Sequence, residues 1–210
     1  MHYMRYWDSA LFAKRLFDFL MSFLGLLLLS PLFFLVAILI KIDSPGPIFF
    51  RQERIGQYGK PFRIHKFRSM FFIGSEAKGS LITIGADSRI TRVGVYIRKY
   101  KIDELAQLFD VLIGTMSLVG PRPEVSRYVD YYPKEVKETI FSVRPGITDR
   151  ASIEFKDESL ILGKSSDPHQ AYVKDILPIK IQYYVRYVNG RSFFGDLHIL
   201  FKTLKALIVD

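Results

Sequence analysis

FLMSFLGLLLLSPLFFLVAILI, residues 19–40, runs for about 22 residues without a charge. At about 1.5 Å per residue that is enough for one helix to cross a bilayer. Ser30-Pro31 sits near its middle. Proline has no amide to donate and its ring crowds the preceding turn, so it kinks or breaks a helix. The arms on either side, Phe19 to Leu29 and Leu32 to Ile40, each reach only about half the hydrocarbon depth. Both flanks are basic: Arg5, Lys14 and Arg15 precede the run, and Lys41, Arg51 and Arg54 follow it. A crossing helix should show an asymmetry in Lys and Arg. Two readings fit these residues equally: a re-entrant helix–break–helix whose ends return to one face, and a single pass with a tolerated proline. Asp18, at the start of the apolar stretch, needs a partner, and Lys14 or Arg15 is within helical reach. Tyr3, Tyr6 and Trp7, with Lys14 and Arg15, suit the headgroup layer. No small-residue cleavage site follows and Asp43-Ser44-Pro45-Gly46-Pro47 reads as a tight turn, so the run is expected to stay rather than be removed as a leader.

Around this run the composition narrows the choices. The chain has 210 residues, 49% hydrophobic, with 18 Phe and no Cys. Absence of Cys excludes disulfide frameworks, Cys-based zinc sites, iron–sulfur ligation and cysteine nucleophiles. The length suits one domain plus an appendage: residues 1–43 as the membrane segment and 44–210 as the domain beside it. The net charge of +9 calls for an anionic partner, whether nucleic acid, an acidic membrane surface or phosphorylated substrates. His2, His65, His169 and His198 show no metal-ligand spacing, and no Walker loop, G-x-G-x-x-G, zinc-finger or RNA-recognition motif is present. Nucleic acid is therefore not the expected partner.

The pattern predicts an α+β fold, mainly helical. Ile48 to Ile55 and Phe62 to Phe67 flank a Gly-rich loop and read as a β-hairpin. Phe71 to Arg89 reads as a loop. Thr91 to Ile113 carries apolar residues at helical spacing, as one or two helices ending at Gly114. Glu124 to Phe141 reads as helix broken at Pro133, and Asp175 to Asn189 as a Tyr-rich helix. Phe193 to Val209 is basic and amphipathic, suited either to a membrane interface or to packing on the core.

Asp103 and Glu104 are adjacent, with Arg98, Lys99 and Lys101 just before them. Carboxylates in a first helical turn are ordinary, because they favour the positive end of the helix dipole. The sharper reading is chemical: an Asp can attack phosphorus and become an aspartyl phosphate, and one or two carboxylates with substrate phosphates can hold Mg²⁺. Arg122 lies between two prolines, which stiffen its backbone and present its guanidinium from a rigid frame. Arginine is the side chain that grips phosphate bidentately. Arg144 before Pro145-Gly146 repeats the device, and Lys66 and Arg68 add cations at the end of the hairpin.

These blocks occur together in a known order. Lys14-Arg15-Leu16-Phe17-Asp18, Ser30-Pro31, Ser44-Pro45-Gly46-Pro47-Ile48-Phe49, Arg51-Gln52, Phe62-Arg63-Ile64-His65-Lys66-Phe67-Arg68-Ser69-Met70, Ile102-Asp103-Glu104-Leu105 with Gln107-Leu108, Met116-Ser117-Leu118-Val119-Gly120-Pro121-Arg122-Pro123 and Arg144-Pro145-Gly146-Ile147-Thr148 are similar to the bacterial sugar transferases. These are the monotopic polyprenyl-phosphate phosphoglycosyltransferases, and the resemblance runs from about Ala13 to the C-terminus.

The resemblance implies a donor, usually a UDP-sugar, whose sugar phosphate passes to undecaprenyl phosphate with release of UMP. It implies a covalent phosphosugar on Asp103, with Glu104 positioning it and the metal, and Mg²⁺ with cations such as Arg122 offsetting diphosphate charge. It implies a re-entrant N-terminal segment around Ser30 and Pro31, amphipathic interfacial helices, membrane lipid as a partner, and an active site on the cytoplasmic face of the bacterial inner membrane. It leaves room for a homodimer. Two places depart from the family. Asp149-Arg150-Ala151-Ser152 stands where many members have Gly-Trp-Ala-Gln, and Ile181 stands two residues before Tyr183-Tyr184 where many have Asp. Both concern the choice of sugar more than the reaction. The competing class is a catalytically silent membrane-anchored scaffold for glycan-assembly enzymes, disfavoured because the dyad and Arg122 are all present.

Overall fold

In the computed structural model, residues 2–71 and 87–208 are described. The segment read as a loop, Phe71 to Arg89, lies outside the described residues except at its ends, where Met70 bridges Ile90 and the Phe71 amide donates to the Arg89 carbonyl at 2.8 Å. The side chains of Tyr3, Tyr6 and Trp7 also lie outside them.

Helix α1 spans His2–Asp43 with Pro31 inside it. The expected break is therefore absent from the helical backbone. Pro31 cannot donate to the carbonyl four residues back, that of Leu27, and the Ser30 hydroxyl donates to that same carbonyl at 2.8 Å. The serine supplies the donor that the proline lacks, and the helix continues. Only 17% of the most apolar window of α1 is buried within the fold, so α1 is not a core helix; by length and composition it could cross a membrane.

The inward stripe of α1 is tied to the rest of the chain along its length. Asp18 accepts from the Ser117 hydroxyl at 2.8 Å and the Leu118 amide at 3.2 Å, while Lys14 approaches it at 3.9 Å. Lys14 itself reaches Asp196 at 2.6 Å. Arg15 donates to the carbonyls of Val111 and Leu112, at 2.7 and 3.0 Å. Both cations expected at the headgroups thus turn inward to protein acceptors. Beyond Pro31, Phe33 meets Phe67 edge-on at 5.1 Å, and Val36 and Ile40 are buried with Phe67, Ile97 and Ala106.

The hairpin forms as expected: β1 (Phe49–Ile55) pairs antiparallel with β2 (Pro61–Phe67). Thr91 to Ile113 resolves into three helices, not one or two: α2 (Arg92–Lys99), α3 (Ile102–Leu105) and α4 (Leu108–Ile113). The division falls at Lys101, whose φ of 54° is left-handed and cannot continue a helix. Gly114, at φ 94°, ends α4 as expected. A short strand β3 (Ser117–Val119) follows, then α5 (Ser126–Val129) and, past Pro133, α6 (Lys134–Phe141).

β3 pairs in parallel with β4 (Gly146–Thr148), an element the sequence pattern does not announce. Three residues beside glycine and proline carry no alternation to read. The approach is close: a Cβ at Gly146 would collide with the Gly120 backbone, so both strands need glycine at the crossing. Helices α7 (Arg150–Glu154), α8 (Glu158–Gly163) and α9 (Pro168–Ala171) lead through a π-turn to α10 (Leu177–Gly190). Pro178 cannot donate within α10, and the π-turn lies just before it. Helix α11 (Phe193–Ile208) buries Ile199 against the core while Phe194 and Phe201 are about 80 and 78% exposed, so it packs on one face and leaves an apolar one open.

Candidate active site

The dyad enters the fold on α3, a single turn held between the left-handed Lys101 and the helical Ala106. Hairpin strand β2 runs beside it. The His65 amide and ring both bond the Asp110 carboxylate of α4, at 2.8 and 2.7 Å. Successive strand residues point to opposite sides, so fixing His65 on α4 turns Lys66 the other way, where its Nζ meets Glu104 Oε1 at 3.0 Å.

Arg122 closes on the same carboxylate. Its Nη1 donates to Glu104 Oε2 at 3.1 Å, and its Nη2 donates to Glu104 Oε1. This is the bidentate fork that arginine alone makes. The frame that presents Arg122 is clamped at three carbonyls. Pro121 O accepts from the Gly146 amide at 3.0 Å, Pro123 O from Arg54 Nη1 at 3.1 Å, and Glu124 O from the Ile55 amide at 2.9 Å. The proline stiffness read in the sequence is thus reinforced by β4 on one side and the hairpin on the other.

The two carboxylates end in different states. Burial alone would push Glu104 up, but Arg122 and Lys66 outweigh it and hold Glu104 well below the ordinary carboxylate range. Burial pushes Asp103 up, with Lys66 pulling against it and the Glu104 charge adding to the rise. Arg98 and Lys101 contribute further positive potential at Asp103. Asp103 is buried, and its Oδ1 has no hydrogen-bond partner among the described residues. Glu104 is therefore an anchor bonded on both oxygens, and Asp103 a desolvated carboxylate whose Oδ1 has no partner among the described residues. That free oxygen suits either attack on an electrophile or a cation shared with substrate phosphates. Among the described residues no group of three His, Asp or Glu could enclose a metal. An ion there would draw on Asp103, on the Glu104 oxygen that accepts a single bond, and on substrate oxygens.

The other cations fall elsewhere. Arg68 donates to the carbonyls of Pro45, Ser44 and Ile40, at 2.7, 2.6 and 3.2 Å, and so closes the C-terminus of α1. Arg144 donates to the Gly114 carbonyl at 2.8 Å, at the end of α4. In neither case is the guanidinium on the dyad. Three residues that sequence reasoning passed over do belong to the neighbourhood. Arg54 and Glu124 support the Arg122 frame, with the Tyr172 hydroxyl donating to Glu124 Oε1 at 2.6 Å. Gln107 lies under the dyad, one turn on. For Arg54 and Glu124 the signal was position: one ends a strand beside the proline frame, the other follows it directly. Of the two departures, Asp149 is buried and caps α7 through Ala151 and Ser152, and its charge bears on Arg122. Ile181 is buried in the core of α10.

Known proteins are similar to this chain over most of its length. A profile of the bacterial sugar transferase family matches residues 9–210. The UDP-N-acetylgalactosamine-undecaprenyl-phosphate N-acetylgalactosaminephosphotransferase of Aeromonas hydrophila is 40% identical over 199 residues, 94% of this chain and 44% of that protein. The UDP-glucose:undecaprenyl-phosphate glucose-1-phosphate transferase of Klebsiella pneumoniae is 37% identical over 194 residues, 91% of this chain and 39% of that protein. The exopolysaccharide production protein PSS of Rhizobium leguminosarum bv. phaseoli is 35% identical over 198 residues, 91% of this chain and 92% of that protein. The chain spans less than half the length of the first two relatives and nearly all of the third. Since the match takes in α1, the hairpin, the dyad and the clamped arginine alike, the chain belongs to the bacterial sugar transferase family.

Proposed function

We propose that this chain transfers a sugar phosphate from a UDP-sugar to undecaprenyl phosphate, with Asp103 as the nucleophile. The observation that carries the proposal is the unequal dyad: Glu104 bound on both oxygens by Arg122 and Lys66, beside a buried Asp103 with a free oxygen. Phosphoryl transfer asks a protein mainly for position and positive potential, and this site offers both. Asp103 attacks the sugar-bearing phosphorus and UMP departs. The phosphate of the lipid acceptor then attacks that phosphorus, and the Asp103 carboxylate is released. Arg122, Lys66 and Arg98 offset the diphosphate charge around this exchange. Asp103 and Glu104 would hold Mg²⁺ together with substrate oxygens, and the ion would neutralise phosphate charge. The names of the relatives support the donor and acceptor classes but differ in the sugar.

The acceptor is a lipid phosphate, so the reaction belongs at a membrane surface. α1, with its exposed apolar flank and its inward ties, would hold the dyad at that surface, dipping into the cytoplasmic leaflet of the inner membrane and returning. The test is UMP release from a panel of UDP-sugars, with and without undecaprenyl phosphate and with and without Mg²⁺. About one equivalent of UMP per protein without the lipid, continued release only with it, and protein labelling by UDP-sugar that Asp103→Asn abolishes are the expected results. A normal rate in Asp103→Asn removes the nucleophile assignment, and no release from any donor favours the silent scaffold.

A further inference from the structure

Gln107 stands at i+3 from Glu104 and i+4 from Asp103, the two spacings at which helical side chains adjoin. The backbone between them stays right-handed at Ala106 and Gln107. Gln107 is 1% exposed, and its Nε2 has no hydrogen-bond partner among the described residues. One turn back, Asp103 Oδ1 is in the same condition. Buried polar groups without partners cost a fold stability and are rare. Here one is a donor and the other an acceptor, and they do not bond each other. A third group that accepts from an amide and also forms a bond to a carboxylate oxygen would satisfy both, and a phosphoryl group does so.

We infer that Gln107 is a catalytic residue whose side-chain amide donates to a non-bridging oxygen of the phosphoryl group that Asp103 receives. The inference rests on the proposed reaction. In its first step an Asp103 oxygen bonds the sugar-bearing phosphorus. The bond from that phosphorus to the bridging oxygen of the diphosphate breaks, and its electron pair leaves with UMP. Negative charge concentrates on the two non-bridging oxygens as this happens. A fixed dipole aimed at them stabilises that charge without having to reorganise. Its neutrality matters too. A further cation at position 107 would pair with the free Asp103 oxygen in the resting enzyme and blunt its attack, whereas an amide left unbonded to it does not.

Gln107→Met tests this, because it keeps the length of the side chain and removes only the polar end. The measurements are single-turnover labelling of the purified full chain by sugar-labelled UDP-N-acetylgalactosamine or UDP-glucose, whichever the unaltered protein turns over, and the thermal midpoint. Labelling should slow by about a hundredfold, the effect of losing one donor to a developing oxyanion. The midpoint should hold or rise, since an unpaired buried donor is gone. Gln107→Glu, equal in shape but negative, should label more slowly still. Labelling of Gln107→Met within about threefold of the unaltered rate overturns the inference. So does a lowered midpoint, which would mean that the amide is paired inside the fold. If the unaltered protein releases no UMP from any donor of the UDP-sugar panel, the reaction itself is wrong and this inference falls with it.

Discussion

Asp103 and Glu104 are neighbours in sequence with opposite electrostatic fates, and the difference has consequences for pH. Glu104 sits between Arg122 and Lys66 and stays ionised well below the usual carboxylate range. Burial raises Asp103, so its ionised form, which the proposed attack requires, is lost on acidification earlier than that of an exposed Asp, whose value is about 3.9. The acid limb of the single-turnover rate should therefore lie above that value. A rate that stays flat down to about pH 4 would show that Asp103 is not the group being titrated. Arg122→Lys keeps a positive charge but cannot reproduce the two-point grip on Glu104. We expect kcat/KM to fall by about a hundredfold with an unchanged thermal midpoint; an unchanged rate would return Arg122 to a structural role.

At the scale of elements, α1 shows how one residue can offset another. Pro31 removes a donor, and Ser30 bonds the carbonyl that would have received it. The helix runs through the proline as one element, yet its backbone there relies on a side-chain hydroxyl, which is where a bend is easiest. Replacing Ser30-Pro31 with Leu-Leu removes the place where the helix bends most easily and should leave a stiff apolar helix long enough to cross. A cysteine placed at position 3 reports the outcome, because the chain has none of its own. In intact cells, an impermeant thiol reagent should miss position 3 in the native helix and reach it in the Leu-Leu form. Labelling of the native form from outside would instead establish a single pass.

At the scale of the whole molecule, a long helix with much of its surface exposed is held to the rest of the fold by one inward stripe of charged and apolar side chains. Lys14 and Asp196 join α1 to α11 at 2.6 Å, and Tyr187 donates to the other Asp196 oxygen at 3.0 Å. Asp196 is buried. Asp196→Ala leaves the Lys14 ammonium without its closest partner and should destabilise the protein by about 3–5 kcal/mol, read as a lowered thermal midpoint in detergent. An unchanged midpoint would show that α11 is held by its apolar face alone. Lys14 and Arg15 look like headgroup anchors in the sequence because basic residues beside an apolar run have that use by default, and only the packing supplies them with Asp196 and the α4 carbonyls instead.

The apolar run, the hairpin, the helix end at Gly114 and the break at Pro133 follow from local rules of side-chain spacing and backbone geometry, so the sequence alone determined them. The blocks around Asp103-Glu104 and Pro121-Arg122-Pro123 were equally legible, because proline stiffness and adjacent carboxylates are properties of a few residues. What local rules could not assign is which cation meets which acceptor. Lys66, Arg68, Arg122 and Arg144 look alike as charges, yet Lys66 and Arg122 hold Glu104 while Arg68 and Arg144 close helix ends. The parallel pairing of β3 with β4 belongs to the same class, since its strands lie 27 residues apart and carry only three residues each. Pairings between distant segments depend on where the backbone brings them, and an ion pair or strand pair forms only after that placement is made. Tertiary structure alone decided that Asp103 would keep a bare oxygen beside a Glu104 bonded on both of its own, because burial and partner count are properties of the assembled neighbourhood and not of the residue.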